Sequence, residues 1–478
     1  MNKFNLNEKM KRTKVITTIG PSVHSKEAIK ELFDKGMTTI RLNFSHADFQ
    51  EHGERFEWVK TLRKEINKPI SILLDTKGPE IRIGKMKNGK QEVKVGTEVT
   101  VYTDPKDFST RECSANEMQM SYDMSQDVKV GDVVLVDDGK LTMHVTSVDK
   151  YKVMCKAFNT HLVKTNKRVN LPGVEFTLPF LAEKDYKDIH FGIENNIDYI
   201  AASFVNSADN VKEIRNILKE CKAEHIQIIS KIESQVGCDN IDSIITASDG
   251  IMVARGDLGL EIPYYDVPYW EKQIIRKCRE QGKLVIVATQ MLESMTDNPQ
   301  PTRAEVTDVY YATELGADAT MLSGESANGD FPFITVETMS TINKRAEIEF
   351  YEKNYYIKQL ENARKSSSGK RAEIANQLAN TTLGGNYEYA VVLSRTGELL
   401  RTISKFRPNV TILGVCDNKK LWTGFGAMHS IFMNQVANLD SFMDDQKAIS
   451  EVAKSWGAKS GERILFVRSE NIKEITVL

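Results

Sequence analysis

Two short apolar runs each end in charge, and together they could build a site for a divalent cation and an anion. The first is residues 226–233, IQIISKIE, and the second is residues 249–258, DGIMVARGDL. Residues two apart in a strand point the same way, so Lys231 and Glu233 leave the first run on one side, and Asp257 leaves the end of the second. Charges at the ends of adjacent buried strands concentrate at functional sites. The plainer alternative is a structural Lys–Glu–Asp ion-pair cluster.

Other strand ends carry the same kind of residue. Arg41, Asn43 and Ser45 alternate in MTTIRLNFS and so share one face. Asp75 and Thr76, Ser203, Thr289, and Ser323 with Glu325 end other runs. A guanidinium suits a phosphate or carboxylate. The neutral Asn43 and Ser45 oxygens beside Asp75 suit a monovalent cation better than zinc, which prefers Cys and His. Glu233 and Asp257 are hard oxygen ligands of the number magnesium takes when water and substrate complete its shell. Lys231 would then neutralise a transferring or enolising oxygen. Gly256, Asp257 and Gly259 would let backbone N–H groups approach an anion, or form only a tight turn. Thr289 and Ser323, taken singly, read more readily as helix caps than as catalytic groups, and the caps lose ground only because both share the rim with the metal ligands.

The elements that must position these residues alternate strand and helix. Strands are predicted at 13–20, 37–45 and 69–75, with helices at 25–35 and 46–65 between them. From about 85 to 168 the residues alternate apolar and polar around glycine turns, as in a β module. Two stretches there, VKVGTEVTVYTD and VKVGDVVLVDDG, look alike, each reading as strand–turn–strand. Strands resume at 198–203, 226–233, 249–255, 284–290 and 318–324, with helical spacing at 206–221 and 265–281. Three strands before the insertion and five after make eight near-continuous apolar runs. Such runs imply a parallel sheet buried on both faces, closing as a (β/α)8 TIM barrel. A doubly wound open sheet is the alternative.

The expected organisation is a barrel in two parts, 1–84 (with a short N-terminal segment, 1–12) and 169–340, an inserted all-β lid at 85–168, and a C-terminal α/β domain at 341–478. In the last, a helical stretch at 343–371 broken at Ser366, a helix at 374–383 and a helix within 441–456 accompany strands at 390–394, 411–416, 429–434, 463–467 and 474–478.

With 478 residues, three domains of roughly 150 are expected. A net charge of −2 gives no basic footprint for nucleic acid. No apolar run approaches the roughly 20 residues that cross a bilayer, and MNKFNLNEKMKR lacks the apolar core of a signal peptide. Six scattered cysteines without CxxC spacing argue for reduced thiols and a cytoplasmic setting. The residues alone thus reach a magnesium-dependent barrel enzyme acting on a small anionic substrate, a phosphorylated one fitting best, with the insertion as a lid.

At the same residues the chain resembles the pyruvate kinase family. TKVITTIGPS, RLNFSHAD, LDTKGPEIR, VNLPG, LPFLAEKDYKDIHFG, IISKIES, GIMVARGDLGLEIP, ATQMLESM, PTRAEVTDV and GADATMLSGESANGDFP are similar to that family's blocks, in its order, from Thr13 to about Pro332. The resemblance implies a glycolytic phosphotransferase that moves the phosphoryl group of phosphoenolpyruvate to ADP, giving ATP and pyruvate. It implies that Lys231 and Arg41 meet the phosphoryl group, and that Glu233 and Asp257 hold Mg2+ (or Mn2+). Gly256 and Asp257 N–H groups would receive the substrate carboxylate. Thr289, with Ser323 and Glu325 near, would bind that carboxylate and help deliver a proton through water. Asn43, Ser45, Asp75 and the Thr76 carbonyl would bind K+, while His46, Arg82, Lys167 and Asn43 would face the nucleotide and Asp138 would arrive with the lid. Glu80 resembles the potassium-requiring members, so potassium dependence is expected. A homotetramer is implied, with Arg303 and the third domain at interfaces.

Three departures stand out: Asn206 where many members carry arginine, Arg168 where glycine is common, and the loop SRTGELL. There Ser394, Arg395, Thr396 and Gly397 align with an effector loop, but Glu398 and Leu399 replace residues that are often basic and hydroxylic. Weak or absent activation by fructose 1,6-bisphosphate is therefore expected, with a sugar monophosphate, AMP or assembly alone left for the third domain. The appended phosphohistidine domain of some bacterial members is not expected after Leu478. A magnesium lyase acting through pyruvate enolate would not need the lid or the Asn43–Ser45–Asp75 cluster. An inactive scaffold would be expected to have lost Lys231, Glu233, Asp257 or Thr289, and all four are intact.

Overall fold

In the computed structural model, which describes residues 10–175 and 177–478, eight parallel strands close into a barrel. They are β1 (Lys14–Thr18), β2 (Thr39–Asn43), β3 (Ser71–Asp75), β4 (Tyr199–Ala202), β5 (Gln227–Ile232), β6 (Gly250–Ala254), β7 (Leu284–Ala288) and β8 (Ala319–Leu322). Neighbours follow chain order, and β8 closes on β1 with Ala319 opposite Lys14. The expected TIM barrel is thus the fold, and the open doubly wound sheet is not. Most of the polar stretch 1–12 lies outside the described residues.

Alternation along each strand builds two cores. In β7, Leu284, Ile286 and Ala288 pack in the barrel interior, while Val285 and Val287 face the surrounding helices. Burying each such aliphatic side chain stabilises the fold by about 1.5–3 kcal/mol. Interior positions that are apolar low in the barrel turn polar at the rim: Ile229 is followed on the same face by Lys231 and Glu233, and Leu73 by Asp75.

Helix starts depend on caps. The pattern predicts a helix from His46, but it runs Phe49–Ile66 because the Asp48 side chain accepts the Glu51 N–H and caps it there. His46 is thereby left in the loop that follows β2.

Between β3 and β4 the chain leaves the barrel for an all-β insertion. Its main sheet has the order Ile81–Arg82, Arg168–Asn170, Val133–Val136, Leu141–Asp149, Lys152–Ala157, Glu98–Tyr102, Glu117–Gln119. The outgoing and returning segments pair side by side, Arg168 opposite Arg82. The two look-alike stretches differ in structure. Lys90–Val93 pairs with His161–Lys164 in a separate ribbon, whereas residues 128–130 are not in a strand.

After the helices Pro332–Glu352, Asn354–Lys365 and Lys370–Thr382 comes a five-stranded sheet. Its strands are β9 (Tyr389–Leu393), β10 (Thr411–Cys416), β11 (Ile431–Gln435), β12 (Arg463–Val467) and β13 (Ile472–Thr476), in the order β11-β10-β9-β12-β13, with only β13 antiparallel. This domain docks on the N-terminal end of the barrel. The Gly426 N–H donates to Ser71 Oγ at 3.0 Å and the Tyr199 hydroxyl to the Gly424 carbonyl at 2.8 Å. Only glycine fits at 426, where a Cβ would collide with the Ser71 side chain. Among the described residues no helix is long and apolar enough to cross a membrane.

Candidate active site

The C-terminal ends of the barrel strands face the insertion across a cavity of about 390 Å³. Another cavity, about 470 Å³, lies at the opposite end against the C-terminal domain and is lined by lysines and apolar groups with no carboxylate pair.

Lys231 is the centre of the first cavity. Its buried Nζ lies 3.0 Å from Asp75 Oδ1, 2.8 Å from Ser203 Oγ and 3.1 Å from Glu233 Oε1. Burial disfavours its charge, but Asp75, Glu233 and Asp257 outweigh burial and raise its pKa above the usual lysine range. The other oxygen of Asp75 accepts from Arg41 Nε at 2.7 Å, and Arg41 Nη1 donates to Thr18 Oγ1 at 2.9 Å. Burial opposes ionisation of Asp75 too, yet Lys231 and Arg41 hold its carboxyl below the ordinary carboxylate range.

Glu233 is different. Its Oε2 accepts the Phe204 N–H at 2.6 Å, while Oε1 is buried and accepts no hydrogen bond. Burial, opposed by Lys231 and reinforced by Asp257, pushes its pKa up to about 7. Its Oε1 faces the Lys231 ammonium at 3.1 Å but meets it outside hydrogen-bond geometry, so one ammonium serves Glu233 and Asp75 together, and with Asp257 beside it a hard divalent cation fits the remaining need. Among the described residues no group of three or more His, Cys, Asp or Glu is placed to cage a metal, so water and substrate oxygens would complete the shell.

Asp257 sits in the first turn of the short helix Arg255–Glu261, directly after β6. Its Oδ1 is paired with Arg168 Nη2 from the returning segment of the insertion. Burial raises the Asp257 pKa, but Arg168 and Lys231 carry it below the usual value.

The expected potassium ligands are all gathered on this wall. Asn43 Oδ1 accepts the Ser45 N–H at 3.0 Å, and the Thr76 carbonyl accepts the Ser203 hydroxyl at 2.8 Å. His46, Arg82, Lys167 and Asp138 line the same cavity. Arg82 Nη2 lies 2.7 Å from Glu80 Oε2, and Lys167 Nζ 2.7 Å from Asp137 Oδ1.

Gly256, Thr289, Ser323 and Glu325 lie outside this cavity wall, on the sector of the rim above β6 to β8. Thr289 Oγ1 accepts the Gly256 N–H at 2.7 Å, so that donor is engaged by the protein itself. Thr289 has φ 68° and Gln290 φ 54°. The left-handed region is strained for a β-branched residue by about 1–3 kcal/mol, a cost met at functional sites. The Ser323 hydroxyl is buried without a partner. Glu325 accepts the Ser323 and Leu292 N–H groups at 2.7 and 3.2 Å, tying the loop after β8 to the loop after β7.

Sequence reasoning left Ser203 without a role, although it stands at a strand end, and here it bridges Lys231 to the Thr76 carbonyl. It also missed Asp137, a buried carboxylate of the insertion that faces Lys167 and accepts from His161 Nε2 at 2.8 Å. Nothing in VDDG distinguishes Asp137 from the exposed Asp138, since both sit at φ 56°.

A family profile described as pyruvate kinase, barrel domain, matches residues 10–336. The chain is 42% identical over 457 residues to the pyruvate kinase of Mycoplasma pneumoniae, covering 88% of this chain and 89% of that one. It is 40% identical to the pyruvate kinase of Clostridium perfringens, covering 95% and 96%. A crystal structure of a pyruvate kinase from Cryptosporidium parvum superposes with a TM-score of 0.88 at 33% identity, over 99% of this chain and 97% of that one. Barrel, insertion, rim chemistry and these likenesses converge: the chain is an enzyme of the pyruvate kinase family.

Proposed function

We propose that the enzyme moves the phosphoryl group of phosphoenolpyruvate to ADP, giving ATP and pyruvate. The observation that carries this reading is Lys231, whose ammonium is pinned within 3.1 Å of Asp75, Ser203 and Glu233 in a cavity that Arg41 also lines. Phosphoryl transfer asks a protein for positioning and charge neutralisation more than for covalent chemistry. Lys231 and Arg41 supply two fixed positive charges for the phosphoryl oxygens, already oriented by Asp75 and so needing little reorganisation.

Glu233 and Asp257 would hold the divalent ion, magnesium or manganese. Bound there, it supplies Lewis-acid neutralisation of substrate oxygens. In the transfer the bond from phosphorus to the enol oxygen breaks and one to a terminal ADP oxygen forms. The enolate left behind takes a proton at carbon. Thr289, set against the first turn that carries Asp257, orients the substrate carboxylate and that proton delivery, with Glu325 and Ser323 bracing the loop behind it. His46, Arg82 and Lys167 face the nucleotide, and Asp138 and Asp137 come with the lid. Asn43, Ser45, Asp75 and Thr76 form the potassium site. A cytoplasmic homotetramer completes the reading.

The test is pyruvate formation from phosphoenolpyruvate, ADP and magnesium by the wild type and by Lys231→Met. Metal-dependent turnover that drops by about a hundredfold or more in the variant is expected. No pyruvate from the wild type under any cation condition would overturn the reading.

A further inference from the structure

The insertion returns to the barrel through Arg168–Asn170, and the side chain of Arg168 reaches into the carboxylate pair. Its Nη2 donates to Asp257 Oδ1. Glu233 and Glu80 also act on it electrostatically, and the Phe204 ring lies 5.7 Å from the guanidinium carbon. Its Nε is buried and without a partner, so the group is held by charge and not by a full set of hydrogen bonds. One residue pair further along, Asn170 Nδ2 donates to Glu261 Oε1 at 2.9 Å, a second tether from the same strand to the same helix.

An oxygen of Asp257 that accepts from a guanidinium is not free for a metal ion unless that contact gives way. Two positive charges close to one carboxylate also repel each other. We propose that Arg168 is a built-in counter-cation which a divalent metal ion must displace from Asp257, so that this residue weakens metal binding and couples it to release of the lid's returning strand from the barrel. The inference rests on the reading of Glu233 and Asp257 as the metal site. Linkage makes the effect reciprocal: whatever factor Arg168 takes from metal affinity, the metal takes from the Arg168–Asp257 contact. The metal does not compete for the Asn170–Glu261 hydrogen bond, so the release is local to the Arg168 end of the strand while Asn170 keeps its tether.

The experiment titrates the full chain with Mn2+ alone, without substrates, and reads free Mn2+ by electron paramagnetic resonance. Arg168→Gln is expected to bind Mn2+ at least about tenfold more tightly than the wild type. Amide hydrogen exchange at residues 166–170 is expected to rise when Mn2+ is added to the wild type, and to be already raised in metal-free Arg168→Gln. Binding by Arg168→Gln that equals or falls below the wild type, while Glu233→Gln abolishes it, overturns the inference and leaves the metal site standing. Unaltered Mn2+ binding by Glu233→Gln overturns both. If Arg168→Gln does not fold, Arg168→Lys, with a shorter reach and a single point charge, takes its place: tighter Mn2+ binding supports the inference and unchanged binding overturns it.

Discussion

Lys231 and Asp75 form a buried ion pair, Nζ to Oδ1 at 3.0 Å, and the same carboxylate holds Arg41 at 2.7 Å. One anion thus orients both cations assigned to the phosphoryl group. Removing it leaves two buried positive charges facing each other. Asp75→Asn is expected to lower stability by about 3 kcal/mol, read by chemical denaturation. Adding Lys231→Met should restore part of that loss, since the double variant no longer buries an ammonium left with Glu233 as its one close carboxylate. A double variant as unstable as the sum of its parts would sink the pairing argument.

Ser203 gives a second prediction. Its hydroxyl accepts from Lys231 at 2.8 Å and donates to the Thr76 carbonyl at 2.8 Å. Ser203→Ala removes a hydrogen bond to a charged group, a contribution of about 1.5–3 kcal/mol. Turnover is expected to fall by about tenfold or more with little change in fold, because Asp75 still holds the ammonium. A normal rate in Ser203→Ala would show that Lys231 needs no such brace.

Much of this arrangement is legible in the sequence. The eight strands announce themselves as runs buried on both faces, and their rim residues follow from alternation. What is not legible depends on contacts between distant segments. Arg168 and Asp257 are 89 positions apart, and only the seating of the insertion on the barrel brings them together. Asp137 and Asp138 are equivalent as text, and the fold buries one while exposing the other. The helix starts three residues after His46 because the Asp48 side chain caps it at Phe49, a hydrogen bond that the residue pattern does not reveal.

Glu80 gives a prediction of potassium dependence. Its Oε2 lies 2.7 Å from Arg82 Nη2 and 3.8 Å from Lys77 Nζ. When nucleotide phosphates draw on Arg82, the Glu80 carboxylate needs another cation nearby. Turnover at saturating substrates is expected to rise about tenfold with K+, a little over 1 kcal/mol of barrier, and Glu80→Lys should lose most of that response. Equal wild-type rates with and without K+ would discard the site.

His52 predicts a pH effect on stability. Its ring stacks on Phe44 with centroids 4.1 Å apart, and its Nε2 donates to the His46 carbonyl at 3.0 Å. Burial pushes its pKa down to about 4, the His46 carbonyl opposing only in part. Between pH 6.5 and 4 the unfolded chain takes up a proton that the folded chain refuses, so stability is full above about 6.5 and lost as pH falls toward 4. The group accounts for about 3 kcal/mol across that window. His52→Phe keeps the stacking and should flatten the stability profile between those pH values, and an unchanged slope would count against this assignment.

The loop before the helix Glu398–Phe406 bears on activation by fructose 1,6-bisphosphate. Glu398 opens that helix, where the backbone's partial positive charge would otherwise attract a phosphate. Its carboxylate pairs with Arg371, and Arg395 pairs with Asp440 and lies 3.9 Å from Asp417. Each of these pairs is exposed and individually weak, about 0–1 kcal/mol, but each occupies an arginine with a carboxylate that an incoming phosphate would have to displace, and Ser394 Oγ is already engaged by the Gly397 N–H at 3.0 Å. The half-saturating phosphoenolpyruvate concentration is therefore expected to stay within about twofold when micromolar bisphosphate is added, the scale of a weak exposed interaction. Glu398→Gln, by freeing Arg371, should gain measurable bisphosphate binding by calorimetry. A large drop in the half-saturating concentration for the wild type would mean that the loop rearranges to present Arg371 and Arg395, and the argument from Glu398 would fail.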